Sequence, residues 1–276
     1  MFITTVYREY AVVFLNIESF VRLIYRYSKY IRLYITKLYL IPGSMIYIIE
    51  VNGNRREDMF IDTHMHEMTY SKDSFLKLDE MVSIARQKGL GGICITDHDS
   101  MGLKDYAAEY TERTGFPVFV GIEFFSWQGD IVAFGIEDYP KERIPAQEFI
   151  DLVKAQGGVC FAAHPFRSNN RGLEENLRTV HGLDGLEVLN GSTSAEACMK
   201  AAEYAMELNL FTLGSSDCHV PKKVGVCATY FPEEVHTMQE FLAVFKKGQM
   251  KPAYYADHEY HIIDIKSSMN LRAAWL

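Results

Sequence analysis

Histidine and carboxylate residues recur in five short clusters, each of which follows an apolar, β-rich run of the chain. Imidazole and carboxylate groups are the usual protein ligands of Zn, Mn and Fe. Two residues spaced i, i+2 on an extended segment point to the same side, so both can face one ion. The pattern therefore predicts a metal centre. The clusters are Asp62-Thr63-His64-Met65-His66, Thr96-Asp97-His98-Asp99, Gly121-Ile122-Glu123, Ala163-His164-Pro165 and Ser216-Asp217-Cys218-His219.

Each cluster alone has an ordinary structural interpretation. A single histidine at a strand end is most often a hydrogen-bonded structural residue, and Glu123 is equally consistent with a buried ion pair. The five clusters together provide more ligands than one tetrahedral ion needs. They predict two or three metal ions, which can clamp a phosphate and deprotonate a bridging water. A chain of structural histidines is the alternative.

Ligands that lie so far apart in sequence need a scaffold that brings strand ends together. After Met59, β-rich runs alternate with amphipathic stretches, which predicts a parallel sheet or a barrel with its site at the carboxyl ends of the strands. The predicted strands are Met59–Asp62, Gly92–Thr96, Val118–Phe125, Asp130–Ile136, Val159–Ala163, Leu186–Leu189 and Phe211–Gly214. The predicted helices are Leu78–Lys88, Gly102–Thr114, Pro145–Gln156, Leu173–His181, Ser194–Leu208 and Glu233–Lys247.

Composition limits the class of protein. The 276 residues are 48% hydrophobic and 23% charged, which excludes a disordered chain, a collagen and a small disulfide scaffold. A net charge of -8 disfavours a broad surface that coats nucleic acid. The five cysteines form no CxxC pair, and Cys94 and Cys160 lie in apolar runs. We interpret them as reduced thiols of a cytoplasmic protein.

The charge is divided near residue 58. Residues 1–58 carry eight Lys and Arg against five Asp and Glu, whereas the remainder is strongly acidic. We predict two parts, a basic, tyrosine-rich and helical extension (1–58) and a catalytic domain (59–276). Four basic residues share one face of the predicted helix, and a basic amphipathic helix of this kind can lie on an anionic membrane surface, which is the weaker interpretation. The alternatives are an accessory helix or an extension that precedes the true start at Met59. These basic residues are Arg22, Arg26, Lys29 and Arg32.

The sequence resembles the PHP family, the polymerase and histidinol phosphatase domain of metal-dependent phosphoesterases. The resemblance extends from about Met59 to Pro252 and implies a distorted (β/α)7 barrel of α/β class, with a site for two or three divalent ions at its carboxyl-terminal rim. It rests on five motifs: Asp62-x-His64-x-His66, the run 89–99 that ends in Thr96-Asp97-His98-Asp99, Gly121-x-Glu123, Ala163-His164-Pro165 and Gly214-Ser215-Ser216-Asp217-x-His219.

The resemblance also implies how the ligands are shared between the first two ions. His64 and His66 hold the first ion, together with Glu123 and Asp217. Glu123 bridges to the second ion, which His164 also binds.

The resemblance also implies that His98 and His219 bind a third ion, together with an acidic residue from the loop after the first motif. Asp73 is our choice for that residue, and Ser71 or Glu67 is the alternative. The chain departs from the family on the strand after Glu123, where many members carry a further histidine and the run 129–135 has none. Asp130 is a possible substitute, so occupancy of the second site and the number of ions stay open.

The predicted reaction is hydrolysis of a phosphate ester by a metal-activated hydroxide. Arg167, three residues after His164, is placed to bind the phosphate through both arms of its guanidinium. Asp97 and Asp99 are expected to orient His98 or to transfer a proton. The expected substrate is a small phosphomonoester, a nucleotide or a short oligonucleotide. Weaker candidates for contact with the phosphate are Arg171, Lys222 and Lys223.

Three other functions fit parts of the pattern. An exonuclease shares the chemistry, but the acidic domain shows no basic stretch interleaved with aromatic residues. A non-catalytic or proofreading PHP module of a larger assembly would be expected to have lost more ligands. An amidohydrolase shares His-x-His, but not the Thr96-Asp97-His98-Asp99 cluster. The ligand set suits Mn, Zn and Fe, so the sequence does not identify the metal.

Overall fold

The structure, a computed structural model, describes the backbone of residues 3–7, 10–13, 34–41 and 44–50, and the whole of residues 58–265. The chain divides into two compact units, Met1–Arg56 and Glu57–Leu276. Within the described residues, no helix is both long enough and apolar enough to span a bilayer.

The described part of the first unit is a four-stranded antiparallel sheet with the strand order β1-β2-β4-β3. Our expectation of a helical extension therefore does not agree with these residues, which are strands. Aromatic and β-branched residues are frequent among them and favour extended backbone over helix. The four basic residues of the predicted helical face lie outside the described residues. The strands are β1 (Ile3–Tyr7), β2 (Tyr10–Val13), β3 (Tyr34–Ile41) and β4 (Ser44–Glu50).

The second unit contains two sheets. The six-stranded sheet has the order β15-β14-β13-β5-β6-β7, and the five-stranded sheet has the order β12-β11-β10-β9-β8. The first comprises β5 (Met59–Met65), β6 (Gly92–Ile95), β7 (Val118–Val120), β13 (Cys227–Phe231), β14 (Lys251–Ala256) and β15 (Glu259–Ile262). The second comprises β8 (Ile122–Phe125), β9 (Asp130–Phe134), β10 (Val159–Ala162), β11 (Gly185–Asn190) and β12 (Phe211–Ser215).

Five α-helices occur within residues 58–265, and each lies inside a predicted helix. Two have side-chain N-caps, since Ser194 accepts from the amide of Ala197 and Thr237 accepts from the amide of Glu240. The predicted helix 173–181 is instead a short 3-10 helix, Glu174–Arg178. The α-helices are α1 (Leu78–Gln87), α2 (Lys104–Thr114), α3 (Ala146–Ala155), α4 (Ala195–Leu208) and α5 (Met238–Lys247).

The sheets are mixed, not purely parallel as the alternating pattern predicted. Strands β5, β6 and β7 are parallel, and so are β10, β11 and β12. Strand β9 runs antiparallel to both its neighbours, because only residues 126–129 join it to β8 and so short a loop makes a hairpin. The α/β class agrees with the prediction, but the strand pairing does not show a closed barrel.

Isolated bridges connect the two sheets where the metal-ligand clusters lie. Met65 bridges to Cys218, and His98 bridges to Glu123. Both bridges lie at or just beyond the carboxyl ends of strands β5, β6 and β12. The predicted ligands from both sheets are thereby brought to one edge.

Candidate metal centre

The two rings of the His-x-His motif lie against each other in the centre. His64 and His66 are fully buried, and their Nε2 atoms lie 3.0 Å apart. Strand β5 continues to Met65, beyond the predicted end at Asp62, so His64 lies on extended backbone and His66 directly follows it. Oδ1 of Asp217 lies 3.2 Å from Nε2 of His66 and 3.7 Å from Nε2 of His64. These three residues converge on one point.

Glu123 lies between the other histidines. Its Oε1 is 2.9 Å from Nε2 of His164 and 3.4 Å from Nε2 of His64. Its Oε2 is 2.7 Å from Nδ1 of His98 and 3.5 Å from Nε2 of His66. One buried carboxylate thus reaches four rings, which is the position of a bridging group.

Asp73 brings together the two outer histidines. Its Oδ2 lies 3.2 Å from Nε2 of His98 and 3.3 Å from Nε2 of His219. The alternatives for this residue are directed elsewhere. The hydroxyl of Ser71 donates to Asp97, and Glu67 accepts from the amide of Thr69. The geometry favours Asp73 over both alternatives as the acidic member of this group.

The donor set fits divalent ions. Three groups of ligand atoms each lie within 4.8 Å of one another: His66, His98 and His219; His64, His66 and Asp217; and His64, Glu123 and His164. Nδ1 of His98 and Oε2 of Glu123 are both buried and lie 2.7 Å apart, yet within the described part of the chain neither makes a hydrogen bond of good geometry. Buried lone pairs that converge without protons between them are costly unless a cation is bound.

The charges inside the centre also favour a bound divalent ion. Burial alone lowers the pKa of His64, but the carboxylates of Asp217, Glu187 and Glu123 outweigh it and raise that pKa well above its ordinary value. Burial alone raises the pKa of Glu123 and Asp217, yet the charge of His64 lowers both well below the usual range. Without an ion, a proton on His64 offsets the carboxylates. A divalent ion would replace that proton.

Backbone conformation at the ligands is unusual. His164 and Asp217 have positive φ angles of 27° and 49°, and Asp99 has φ of 48°. Positive φ is uncommon for residues other than glycine, and such strain concentrates at functional sites. It turns the side chains of His164 and Asp217 back toward the strand ends.

Glu187 is a member of the site that sequence reasoning missed. Its Oε1 lies 3.2 Å from Nδ1 of His64 and accepts a hydrogen bond from the hydroxyl of Ser215. Its Oε2 accepts from the amide of His164 at 2.6 Å and from Nδ2 of Asn190 at 2.9 Å. A single glutamate inside the apolar run 186–189 was the available signal, because a buried carboxylate requires partners.

Asp97 and Asp99 support the centre through other residues. Oδ1 of Asp97 accepts from the amide of Glu67 at 2.7 Å and from the hydroxyl of Ser71 at 2.8 Å, and burial raises the pKa of Asp97 to about 6. Oδ1 of Asp99 accepts from the amide of Phe125 at 2.8 Å. These bonds hold the loops that carry the ligands, and none of them goes to the ring of His98.

Two arginines lie on either side of the centre. Arg167 donates from Nη2 to Oδ2 of Asp217 and to Oδ1 of Asn190, the latter at 2.7 Å. Arg171 donates to both oxygens of Asp130, at 2.6 Å and 2.8 Å. Asp130 lies on the run 129–135, which lacks the further histidine that many PHP proteins carry there. Asp130 is buried, and its Oδ2 lies 3.8 Å from Nε2 of His164. Its pairing with Arg171 makes it a weaker candidate ligand than the residues above.

The remaining basic candidates lie further out. Lys223 donates to the carbonyl of Gly191, and Lys222 is exposed on the short helix Pro221–Lys223. Their contacts give them no place among the ligand groups.

Known proteins similar to this chain share parts of its sequence. A family model described as PHP-associated matches residues 195–250. An uncharacterised protein of Methanocaldococcus jannaschii is 29% identical over 142 residues, which cover 48% of this chain and 82% of that protein. A probable phosphatase of Caldicellulosiruptor bescii is 23% identical over 67% of this chain and 95% of its own length.

Solved structures share the fold. A two-domain protein from Bacteroides vulgatus containing a predicted PHP-like metal-dependent phosphoesterase superposes with a TM-score of 0.58 at 21% identity, over 72% of this chain. The chain spans 65% of that protein's length. The lesion-specific endonuclease Q of Pyrococcus furiosus superposes with a TM-score of 0.54 at 17% identity, over 71% of this chain and 57% of its own. This chain therefore shares a PHP-associated segment and its fold with PHP-like proteins.

Proposed function

We propose that the protein is a metal-dependent phosphoesterase, a hydrolase that acts on a small phosphomonoester, a nucleotide or a short oligonucleotide. One observation carries the proposal. Three overlapping groups of histidine and carboxylate atoms, each compact enough for one ion, lie beside the guanidinium of Arg167. The combination of adjacent cation sites and a positive charge beside them suits a tetrahedral dianion.

The ligand groups suggest how two or three divalent ions would be held. His64, His66 and Asp217 would bind one, and Glu123 with His164 would bind a second. His98, His219 and Asp73 would bind a third, at the more exposed side of the centre. Ions at these positions would lower the pKa of a bound water and neutralise charge on the phosphate oxygens.

The residues around the ligands have separate tasks in this proposal. Glu187 holds the ring of His64 from its Nδ1 side, which leaves Nε2 directed at the ion site. Arg167 keeps Asp217 in place and presents a positive charge beside it. Asp97 and Asp99 fix the loops at positions 67–71 and 125. These contacts support the proposal that Asp97 and Asp99 have a positioning role within the site.

Residues 59–276 are proposed to be the catalytic unit. All the candidate ligands lie between His64 and His219, in the second compact unit. Contact of residues 1–58 with a membrane surface stays a prediction. Partitioning of the full chain with anionic vesicles, compared with a chain that starts at Met59, would test it.

The proposal is tested by elemental analysis of the purified protein, coupled to a screen for phosphate release. The screen covers sugar phosphates, nucleotides, histidinol phosphate and short oligonucleotides, with an amide panel for the amidohydrolase alternative. We expect bound Mn, Zn or Fe and metal-dependent phosphate release, both lost in Asp217→Asn. Phosphate release that persists after complete metal removal would refute the proposal.

A further inference from the structure

Phe125 lies beside the metal centre and carries two guanidinium groups on its ring. It is two residues beyond Glu123 on strand β8, so both side chains project to the same side of the sheet. Cζ of Arg143 lies 3.2 Å from the centre of the Phe125 ring, and Cζ of Arg171 lies 4.2 Å from it. Two cations thus meet at one aromatic ring next to the proposed site.

Arg171 is held rigidly in this position. Its guanidinium is paired with both oxygens of Asp130, and its carbonyl accepts from the amide of Asp130 at 2.7 Å. Gly129 allows this approach, because a Cβ there would lie 2.6 Å from the backbone of Gly172 and Leu173. Asp130 offsets one positive charge of the pair.

Arg143 has no such partner. Within residues 58–265, no carboxylate lies within 4.0 Å of Arg143, and its side chain makes no hydrogen bond. It is exposed, whereas Phe125 beneath it is half-buried. The donors of one guanidinium therefore remain available for an anion, close to a second positive charge.

An exposed tryptophan lies in a loop that contacts the segment next to Arg143. Trp127 lies in the loop between β8 and β9 with 65% of its surface exposed. Its amide donates to the carbonyl of Ile144 at 3.0 Å, which fixes this loop against the residue after Arg143. An exposed tryptophan ring offers an aromatic face on which a base can stack.

We propose that these four residues, the lip, bind a nucleotide adjacent to the one whose phosphate is cleaved. Arg143 and Arg171 would contact its phosphate, and Trp127 would stack on its base. Alternating cationic and aromatic groups are the usual means of binding single-stranded nucleic acid. The proposal rests on the proposed function and selects a nucleotide chain from its range of substrates. The lip consists of Phe125, Trp127, Arg143 and Arg171.

Binding is tested without turnover. The probe is trithymidylate with a 5′-phosphate and a 3′-fluorophore, and its anisotropy is followed on metal-free full-length protein. We expect Trp127→Ala and Arg143→Gln each to weaken binding about tenfold, the usual scale for loss of one stacked base or one phosphate contact. Equal binding by these variants and the wild type, or no binding by the wild type, would overturn the proposal.

Matched controls come from helix α2. Tyr106 is also an exposed aromatic residue, 48% exposed, and Arg113 also stacks on an aromatic ring, 5.0 Å from the centre of Tyr110. Tyr106→Ala and Arg113→Gln should bind the probe as the wild type does. Equal weakening by the controls would mean that general charge or hydrophobicity governs binding, and would overturn the proposal.

A second measurement separates this inference from the proposed function. With metal bound, the ratio of kcat/KM for trithymidylate to that for glycerol phosphate should fall about tenfold in Trp127→Ala. An unchanged ratio overturns the lip but leaves the phosphoesterase intact. If the wild type hydrolyses neither ester yet binds the probe through Trp127, the phosphoesterase fails and the lip stands.

Discussion

Oε1 of Glu187 lies 3.2 Å from Nδ1 of His64, and both side chains are completely buried. The contact fixes which nitrogen of His64 faces the ion site. Burial raises the pKa of Glu187 by itself, but the charge of His64 outweighs it and lowers that pKa. The pair stabilises the geometry of the innermost ligand.

Glu187→Gln should therefore weaken metal binding. The amide retains the shape of the carboxylate but loses the charge, and loss of such a supporting partner typically costs about tenfold to a hundredfold in metal affinity. Isothermal titration with Mn or Zn measures the effect. The exposed Glu203, on helix α4, offers Glu203→Gln as a control with unchanged affinity. Equal affinities of both variants would contradict a role for Glu187.

Loss of a direct ligand should be more severe. His64→Ala or Asp217→Ala should reduce phosphate release by more than the roughly hundredfold expected of a supporting residue. His64 belongs to two of the ligand groups, and Asp217 belongs to one of them. Activity is measured at saturating metal, and circular dichroism checks that the fold survives. Either variant with full turnover would exclude the assigned ligand role.

Metal affinity should increase with pH. Burial lowers the pKa of His98, but its interactions with Glu123 and Asp73 raise it to about 9. At neutral pH, an ion must displace the proton of His98, so affinity should rise from about pH 6 until about pH 9 and then level off. Titrations in buffers of different ionisation enthalpy count the protons released. In His98→Ala the rise should be shallower, and an identical slope would contradict the assignment.

The stability of the metal-free protein should decrease as the pH rises, whereas its metal affinity should increase. A histidine whose pKa is higher in the folded state contributes stability that is complete below its unfolded pKa of about 6.5. For His98 this contribution is lost as the pH rises from about 6.5 to about 9. Chemical denaturation of the metal-free protein across this range measures the loss. A steady gain in stability over the same range would count against a charged His98.

Arg167→Lys tests the forked donor. Lysine keeps the charge but cannot contact two oxygens in one plane, and Arg167 uses its fork on Asp217, Asn190 and Thr193. We expect kcat/KM to fall about tenfold to a hundredfold, with metal content retained. Steady-state kinetics and elemental analysis of the same sample check both parts. The control is Arg113→Lys, and wild-type kinetics in Arg167→Lys would contradict the role.

The aromatic core should govern stability independently of the site. Phe241 on helix α5 is fully buried, with its ring centre 4.8 Å from that of Phe119 and 5.0 Å from that of Phe134. Phe241→Ala should lower the free energy of unfolding by about 3–5 kcal/mol. Urea denaturation gives the value. Tyr106→Ala, at an exposed position, should change it by less than about 0.5 kcal/mol.

Local patterns were sufficient to predict the main elements around the site. The amphipathic spacing at 78–88 predicted a helix that the structure contains, and the predicted helix at 194–208 is also present. Three later strands, β13, β14 and β15, were missed. Polar and aromatic residues alternate irregularly there, and a strand of this kind is specified mainly by the neighbour with which it pairs.

The sequence by itself determined which residues are candidates for metal chemistry. The His-x-His spacing and the polar clusters at strand ends require only residue type and local extended structure, so His64, His66, Glu123 and Asp217 could be named in advance. The same local reasoning selected His98, His164 and His219 as their companions, whereas Asp73 was chosen because the family resemblance implies an acidic residue in that loop.

Only the tertiary structure decided which side chains meet. The choice of Asp73 over Ser71, the supporting contact of Glu187 and the antiparallel course of β9 all depend on pairings between distant segments. The lip is the clearest case, since Phe125, Arg143 and Arg171 form no basic stretch in sequence and meet only around one ring. Contacts of this kind depend on packing and burial in the folded protein, which local sequence patterns do not encode.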